Sequence, residues 1–325
     1  MREYDPTRTT TLRNVFARKM RVRFDELAKN ITTALVEKDV LGLQNVTTQR
    51  VPGERAFDFP RSQDKVQAFM RWVREQMDTD ILELRQMQRI GSSIDTAWTN
   101  VYVKNSYQRG LERARSEMRN AGYKIPTMEK TGGVGQSLAS PFHADRLGVL
   151  YTRTFNDLKG ITDAMDSQIS RVLTESIADG DGTRMIAKKL NGVIRAGGKD
   201  LGITDTLGRF IPGKRRAEML ARTEIIRAHH QATIQEYKNW KAQGVTVRAE
   251  WATAGDQRVC PDCASLENEV FTLEEIQNKI PLHPQCRCVA LPIRNQDKAG
   301  GGWNQLPAVK SGELPRLRGS KFIKQ

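Results

Sequence analysis

All four cysteines and one of the four histidines of this 325-residue chain lie between positions 260 and 288, in CPDCASLENEVFTLEEIQNKIPLHPQCRC. The pattern is C-x2-C, then H-x2-C-x-C. No other feature constrains the fold as strongly, because a chain poor in both residue types has gathered them where one ion, or a pair of staples, can tie two loops. A C-x2-C turn aims two thiolates at one point, and zinc takes four S or N ligands tetrahedrally at ~2.0–2.3 Å. Five donors are on offer: Cys260, Cys263, His283, Cys286 and Cys288. The expected set is Cys260, Cys263 and Cys286 with either His283 or Cys288. Pro284 keeps His283 out of a helix, in an extended arm that can turn inward.

Two disulfides, or four buried free cysteines, are the alternative. Cys286 and Cys288 are too close to bridge each other, but either can pair with Cys260 or Cys263. The N-terminus, MREYDPTRTTTLRNVF, has no apolar signal core, and no stretch approaches the ~20 apolar residues that span a bilayer. The expectation is synthesis in a reducing cytoplasm with no membrane partner, where clustered cysteines bind metal more often than they pair. A catalytic zinc would need an open ligand position and a base held on a water. Asp262 and Glu267 are nearby, but neither H-E-x-x-H nor H-x-E occurs. A closed, structural Zn2+ is therefore expected. It would contribute directly to folding residues 250–293, whose own apolar mass is small.

Helical periodicity dominates the rest. One long helix is expected over 10–41, with Leu12, Val15, Phe16, Val22, Leu27, Ile31 and Leu35 in phase. A loop with two prolines follows over 42–63, then a helix from Gln63 to Ile90 and another from Asp95 to Gly122, closed by that glycine. KIPTMEKTGGVGQSLASPFH reads as a linker. Its GGVG lacks the preceding strand and the Gly-Lys-Ser/Thr helix start of a phosphate-binding loop. Further helices are expected over 144–178, from a Thr183 cap to Ala196, and over 214–243, closed by Gly244, with a loop over 197–213. VTVRAEWAT alternates as a strand, EVF and CVALPI are two more, and Thr272 with Glu275 forms a capping box.

The fold class is mainly α: long N-terminal helices plus a small α+β, zinc-stabilised C-terminal module. The divisions expected are a helical region at 1–122, a linker at 123–143, a domain at 144–293 with the zinc module at 250–293, and a flexible basic tail at 294–325. The formal charge of +14 favours a polyanionic partner or an acidic protein surface.

Within ARTEIIRAHHQATIQEY, Arg222 and Glu224 lie ~200° apart around the helix and cannot serve one point. Glu218 and Arg222 have the i,i+4 spacing of a stabilising pair. Arg222 or Glu224 is placed to brace the strand or loop that follows. His230 sits on the apolar face as a core histidine, and His229 lies off it.

ARTEIIRAHHQATIQEY, EWATAGDQRVCPDCASLENEVF and PLHPQCRCVALPI, in that order, resemble the phage head morphogenesis family, the Mu F-like and SPP1 gp7-like minor capsid proteins of tailed bacteriophages. The likeness runs from about Leu150 to Ile293. It rests on Arg222-Thr223-Glu224, Trp251, Asp256, the C-x2-C and the H-P-x-C-R-C end. Many relatives have Gly where this chain has Asn268, and Asn tolerates the same left-handed turn. The resemblance implies a structural protein inside the virion, at or near the portal protein, with capsid or scaffold proteins as further partners. It also implies a role in head assembly and a possible exit with the DNA, and the positive charge is compatible with non-specific DNA contact. The competing class is an enzyme, either an HNH-type nuclease or an ADP-ribosyltransferase-like effector. Against it, His283 is the only histidine of the module, and Arg-Thr-Glu sits on one helix. No catalytic residue is expected.

Overall fold

The computed structural model describes residues 5–43, 62–84, 96–195 and 211–294. Most of the 42–63 and 197–213 loops, the 85–95 segment and the basic tail beyond Arg294 lie outside them. Among the described residues the chain is mainly helical, with one small antiparallel sheet of order β2-β1-β3. The helices are α1 (Thr10–Thr32), α2 (Ser62–Gln76), α3 (Asn100–Asn120), α4 (Gly133–Ala139), α5 (Pro141–Ala178), α6 (Thr183–Ile194) and α7 (Gly213–Ala242). The sheet and its short helices follow in the order β1 (Val247–Ala252), α8 (Pro261–Ala264), β2 (Val270–Phe271), α9 (Leu273–Ile276) and β3 (Val289–Arg294). No helix is long and apolar enough to cross a membrane.

Several boundaries differ from the sequence reading. The second helix passes into a π-turn over Met77–Ile81 and stops, because Leu82 N–H bonds back to Met77 O and Glu83 is left-handed. Arg23 of α1 holds this end by donating to Asp80 O and the Glu83 carboxylate. The Gly/Ser-rich stretch read as a linker contains α4, whose Leu138 is buried against α5. Gly182, not Thr183, occupies the cap position of α6, and Thr183 is its first residue. Gly122 and Gly244 do close α3 and α7. Both are left-handed, so that Tyr123 N–H reaches Met118 O and Val245 N–H reaches Trp240 O.

Helix α7 runs through the middle. Its first half, with Ala217, Ala221 and Ile225, packs into one core with α1, α2, α5 and α6. Ala228 and Ala232 join a second core with Tyr107, Leu111, Leu147 and Leu150. Ile226, Ile234, Tyr237 and Trp240 join a third with β1, α9 and three of the cysteines. Helix α3 lies beside α7 in the same direction. Ser106 donates to Ile225 O at 2.6 Å, and Thr233 donates to Gly110 O at 3.3 Å.

Two polar groups of α7 depart from the sequence reading. Glu218 pairs with Arg21 of α1 at 2.9 Å rather than with Arg222. His229, expected off the apolar face, is as buried as His230 because α3 covers that side. Burial holds both imidazoles neutral, with His229 well below its usual value and His230 down to about 4.

The contact between α3 and α7 is tight enough to test. A Cβ on Gly110 would stand 2.2 Å from His229 O. Gly110→Ala should destabilise the protein by roughly 1–3 kcal/mol. Gly148→Ala, in α5 with nothing near its Cβ, should be neutral or stabilise by about 0.5–1 kcal/mol. Urea midpoints of the two variants measure both. The buried histidines set a pH dependence. Below its ordinary value of 6.5 the unfolded chain takes up a proton at position 230 that the native state refuses until about 4. Stability must therefore fall as pH drops through that window, by about 1.4 kcal/mol per pH unit for each such histidine. His230→Gln keeps a donor toward Ile276 O, and its slope between pH 6.5 and 4 should be shallower by about one proton.

Candidate metal centre

Two turns build the site. Cys260 caps α8, and its sulfur accepts from Cys263 N–H at 3.3 Å, so that both sulfurs face one point. The second turn runs from His283 to Cys286, closed by Cys286 N–H donating to His283 O at 3.1 Å. Gln285 inside it is left-handed. His283 Nε2 lies 3.2 Å from Cys260 Sγ and 3.2 Å from Cys263 Sγ. Its other nitrogen, Nδ1, lies 2.8 Å from Pro284 O and donates to it, which leaves the Nε2 lone pair turned to the sulfurs. Cys263 Sγ is 3.9 Å from Cys286 Sγ.

The donors form two triads that share Cys263: Cys260, Cys263 and His283, and Cys263, Cys286 and Cys288. Together with Ala254, Arg258, Val259, Gln285 and Arg287 they line a partly open cavity of about 20 Å³. All four cysteines are free thiols. The donor set, the fixed imidazole and the cavity fit a single metal ion, and this cluster can hold one.

Charge is unevenly spread among the thiols. The Cys288 side chain bonded to Cys286 draws that thiol down to about 5. Burial pushes Cys263 up to about 12. Cys288 is pushed up as well, through its bond to Cys286 and through burial. One thiolate discourages the next in a dry site. A bound dication reverses that penalty, which is why ligand deprotonation and metal binding occur together.

Other residues singled out in the sequence hold this site in place. Arg222 Nη1 donates to Gln285 Oε1 at 3.0 Å, and Thr223 Oγ1 accepts from Gln285 N–H at 3.0 Å. Helix α7 thus grips the tip of the second turn. Asp256 receives both guanidinium nitrogens of Arg287 at 2.5–2.6 Å, with Arg258 3.0 Å away, and those bonds hold its carboxyl below the usual range. Trp251 is fully buried in β1. Asn268 is left-handed as expected, and the Thr272–Glu275 capping box is formed. Glu224 goes elsewhere. It pairs with Arg227 at 2.9 Å and faces Arg153 of α5 at 3.6 Å. Gln285, Arg287 and Glu267, which accepts from Thr253 N–H at 2.7 Å, were not singled out as supports of the site. Arg287 had a visible cue in its place between two cysteines. Gln285 had none, since glutamine carries no preference for the left-handed turn it occupies.

Residues 167–291 match the family model for phage Mu protein F like protein. The segment is Mu F-like. The match lies inside the span of the resemblance read from the sequence, and it supports a phage head morphogenesis family. No curated protein and no solved structure matches the chain. The Mu F-like segment takes in the end of α5, all of α6 and α7, and the cysteine module as far as β3.

Thr223 offers a direct test of the grip on the second turn. Thr223→Val removes the acceptor for Gln285 N–H while keeping the shape of the side chain. Metal affinity, measured by competition with a chromogenic chelator, should fall about 10–100-fold with helical content unchanged.

Proposed function

We propose that this protein is a minor capsid or head morphogenesis protein of a tailed bacteriophage, made in the host cytoplasm and carried inside the virion, bound near the portal. It acts there by position, in head assembly, DNA packaging or ejection, with capsid or scaffold proteins as neighbours and packaged DNA in non-specific contact with its basic surface. The proposed working unit is residues 144–293, with 250–293 closed by one structural Zn2+. Zinc held by the cluster of Cys260, Cys263, His283, Cys286 and Cys288 would cross-link the two turns. The chain's own residues do the rest. Arg222 and Thr223 fix the second turn, Arg287 and Asp256 fix its exit, and Trp251 fills the core beneath.

The observation that carries this reading is where the motif residues spend their bonds. Arg222 and Thr223 of the Mu F-like segment are engaged with the backbone and side chain of the Cys/His module. Asp256 is engaged with Arg287, between two of the cysteines. An ADP-ribosyltransferase-like or nuclease role would need such groups turned toward a substrate.

The test compares particles. Cys263→Ser should yield heads that lack this protein or package poorly, as seen by gel and by infectivity. Glu224→Gln and His229→Ala, if folded, should be incorporated and should leave infectivity close to normal. Normal incorporation of a folded Glu224→Gln protein with infectivity lost would overturn the positional reading in favour of an enzymatic one.

A further inference from the structure

Along residues 141–158, α5 is covered on one side only among the described residues. Leu147, Leu150, Thr154, Phe155 and Leu158 are buried. Phe142 and Val149, two turns apart on the other side, are 67% and 56% exposed. Asp145, Gly148, Val149, Thr152, Arg153 and Asn156 line an open groove along this face. Three of these residues are left without full use by their own chain. Glycine inside a helix is destabilising relative to alanine, yet nothing stands within 4 Å of where a Cβ on Gly148 would be. Asp145 is exposed, and its side chain has no ion pair or hydrogen bond among the described residues. Arg153, with 47% of its side chain exposed, faces Asp157 at 3.7 Å and Glu224 at 3.6 Å, both beyond hydrogen-bond length.

Asp145, Val149 and Arg153 follow one another at intervals of four along a single ridge of the helix, the acid one turn before the valine and the base one turn after it. Such a ridge is complementary to itself when turned end to end. With a twofold axis through Val149, two antiparallel copies set Asp145 of each opposite Arg153 of the other. Phe142 of each then lies by Asn156 of the other, and every contact occurs twice, as an isologous pair requires. Gly148, next to the axis, lets the two backbones approach. A parallel copy would instead set Asp145 against Asp145 and Arg153 against Arg153. We propose that residues 142–156 of α5 form a self-association surface, and that its partner is the same stripe of a second copy of this chain, antiparallel to the first. A stripe of this length stands at the low end of specific interfaces, so the association is weak and reversible. It lies outside residues 167–291, and it rests neither on the metal site nor on the head-protein reading.

Analytical ultracentrifugation of the full-length protein over a range of concentrations tests this. Wild type should show a monomer–dimer equilibrium. Asp145→Arg sets like charges together twice across the axis and should raise the dissociation constant at least about tenfold, as should Arg153→Glu. Mixed in equal amounts, the two variants should recover the dimer, because the mixed pair has Arg against Glu on one side of the axis and Arg against Asp on the other. Val149→Glu places two carboxylates on the axis and should leave a monomer, without touching the place of Arg153 beside Glu224. Circular dichroism and thermal unfolding check that each variant folds. Where Arg153→Glu does not, Asp145→Arg and Val149→Glu decide. A dimer that survives both of these changes, or folded single variants that do not recover the dimer on mixing, would overturn the proposal. A monomeric wild type would overturn it too. Lowered stability of Val149→Glu would then assign the face to a segment of the same chain, and reduced incorporation of Val149→Glu into heads would assign it to another head protein.

Discussion

A helix buried along most of its length needs partners for its charged side chains, and α7 is such a helix. Glu218, Glu224, His229, His230, Gln231, Thr233 and Glu236 are all removed from solvent. An unpaired charge there would cost several kcal/mol. The partners come from different parts of the chain. Arg21 of α1 takes Glu218, Arg227 takes Glu224, and Ile276 O and Gln277 O of the module accept from His230 and Gln231. Arg115 of α3 takes Glu236 at 2.6 Å, and Trp240 donates to the same oxygen. Removing one partner of such a buried ion pair typically costs about 3–5 kcal/mol. The polar groups of α7 thus specify which elements may pack on it and in what register, a task that its apolar residues, spread around the helix, cannot perform alone.

The module inherits its place from the same helix. Its core includes Ile226, Ile234, Tyr237 and Trp240 of α7 and Ala114 and Met118 of α3, together with Cys263, Cys286 and Cys288. The sequence reading treated residues 250–293 as too small to hold themselves, and in the fold they borrow apolar surface from two long helices. Polar ties reinforce the contact. Tyr123, just past the end of α3, donates to Ile293 O at 2.7 Å, and Tyr237 donates to Ala290 O at 3.4 Å. A metal held by the cluster would act on loops already packed against these helices, and would serve to fix the two turns.

What was legible in the sequence follows from the range of each interaction. The helices, the strand of VTVRAEWAT and the capping box at Thr272 depend on neighbours a few residues away, and they appear close to where their patterns lie. The gathering of Cys260, Cys263, His283, Cys286 and Cys288 was legible because their spacing has few other uses. The partner of Glu218 was not. An i,i+4 arginine at 222 satisfies the local rule, but Gln285 claims Arg222, and Arg21, far upstream in α1, takes the carboxylate. His229 was misplaced for the same reason. A helix covered on one side leaves the next position exposed, whereas α3 covers a second side, and it can approach so closely only because position 110 has no side chain.

That close approach links the N-terminal helices to the metal site. Gly110 rests on the backbone of His229, the next residue donates to Ile276 O, and Ile276 closes the core around Cys263. These contacts join α3, α7 and the module into one packed unit. The α3 end of this path lies outside the Mu F-like match, while α7 and the module lie within it. Residues beyond the recognisable segment hence complete the support of its most distinctive feature. A truncation to residues 167–291 would expose the face of α7 that α3 covers, with a buried carboxylate at Glu236 deprived of Arg115. The segment identified by its sequence is in this sense smaller than the unit that physical packing defines.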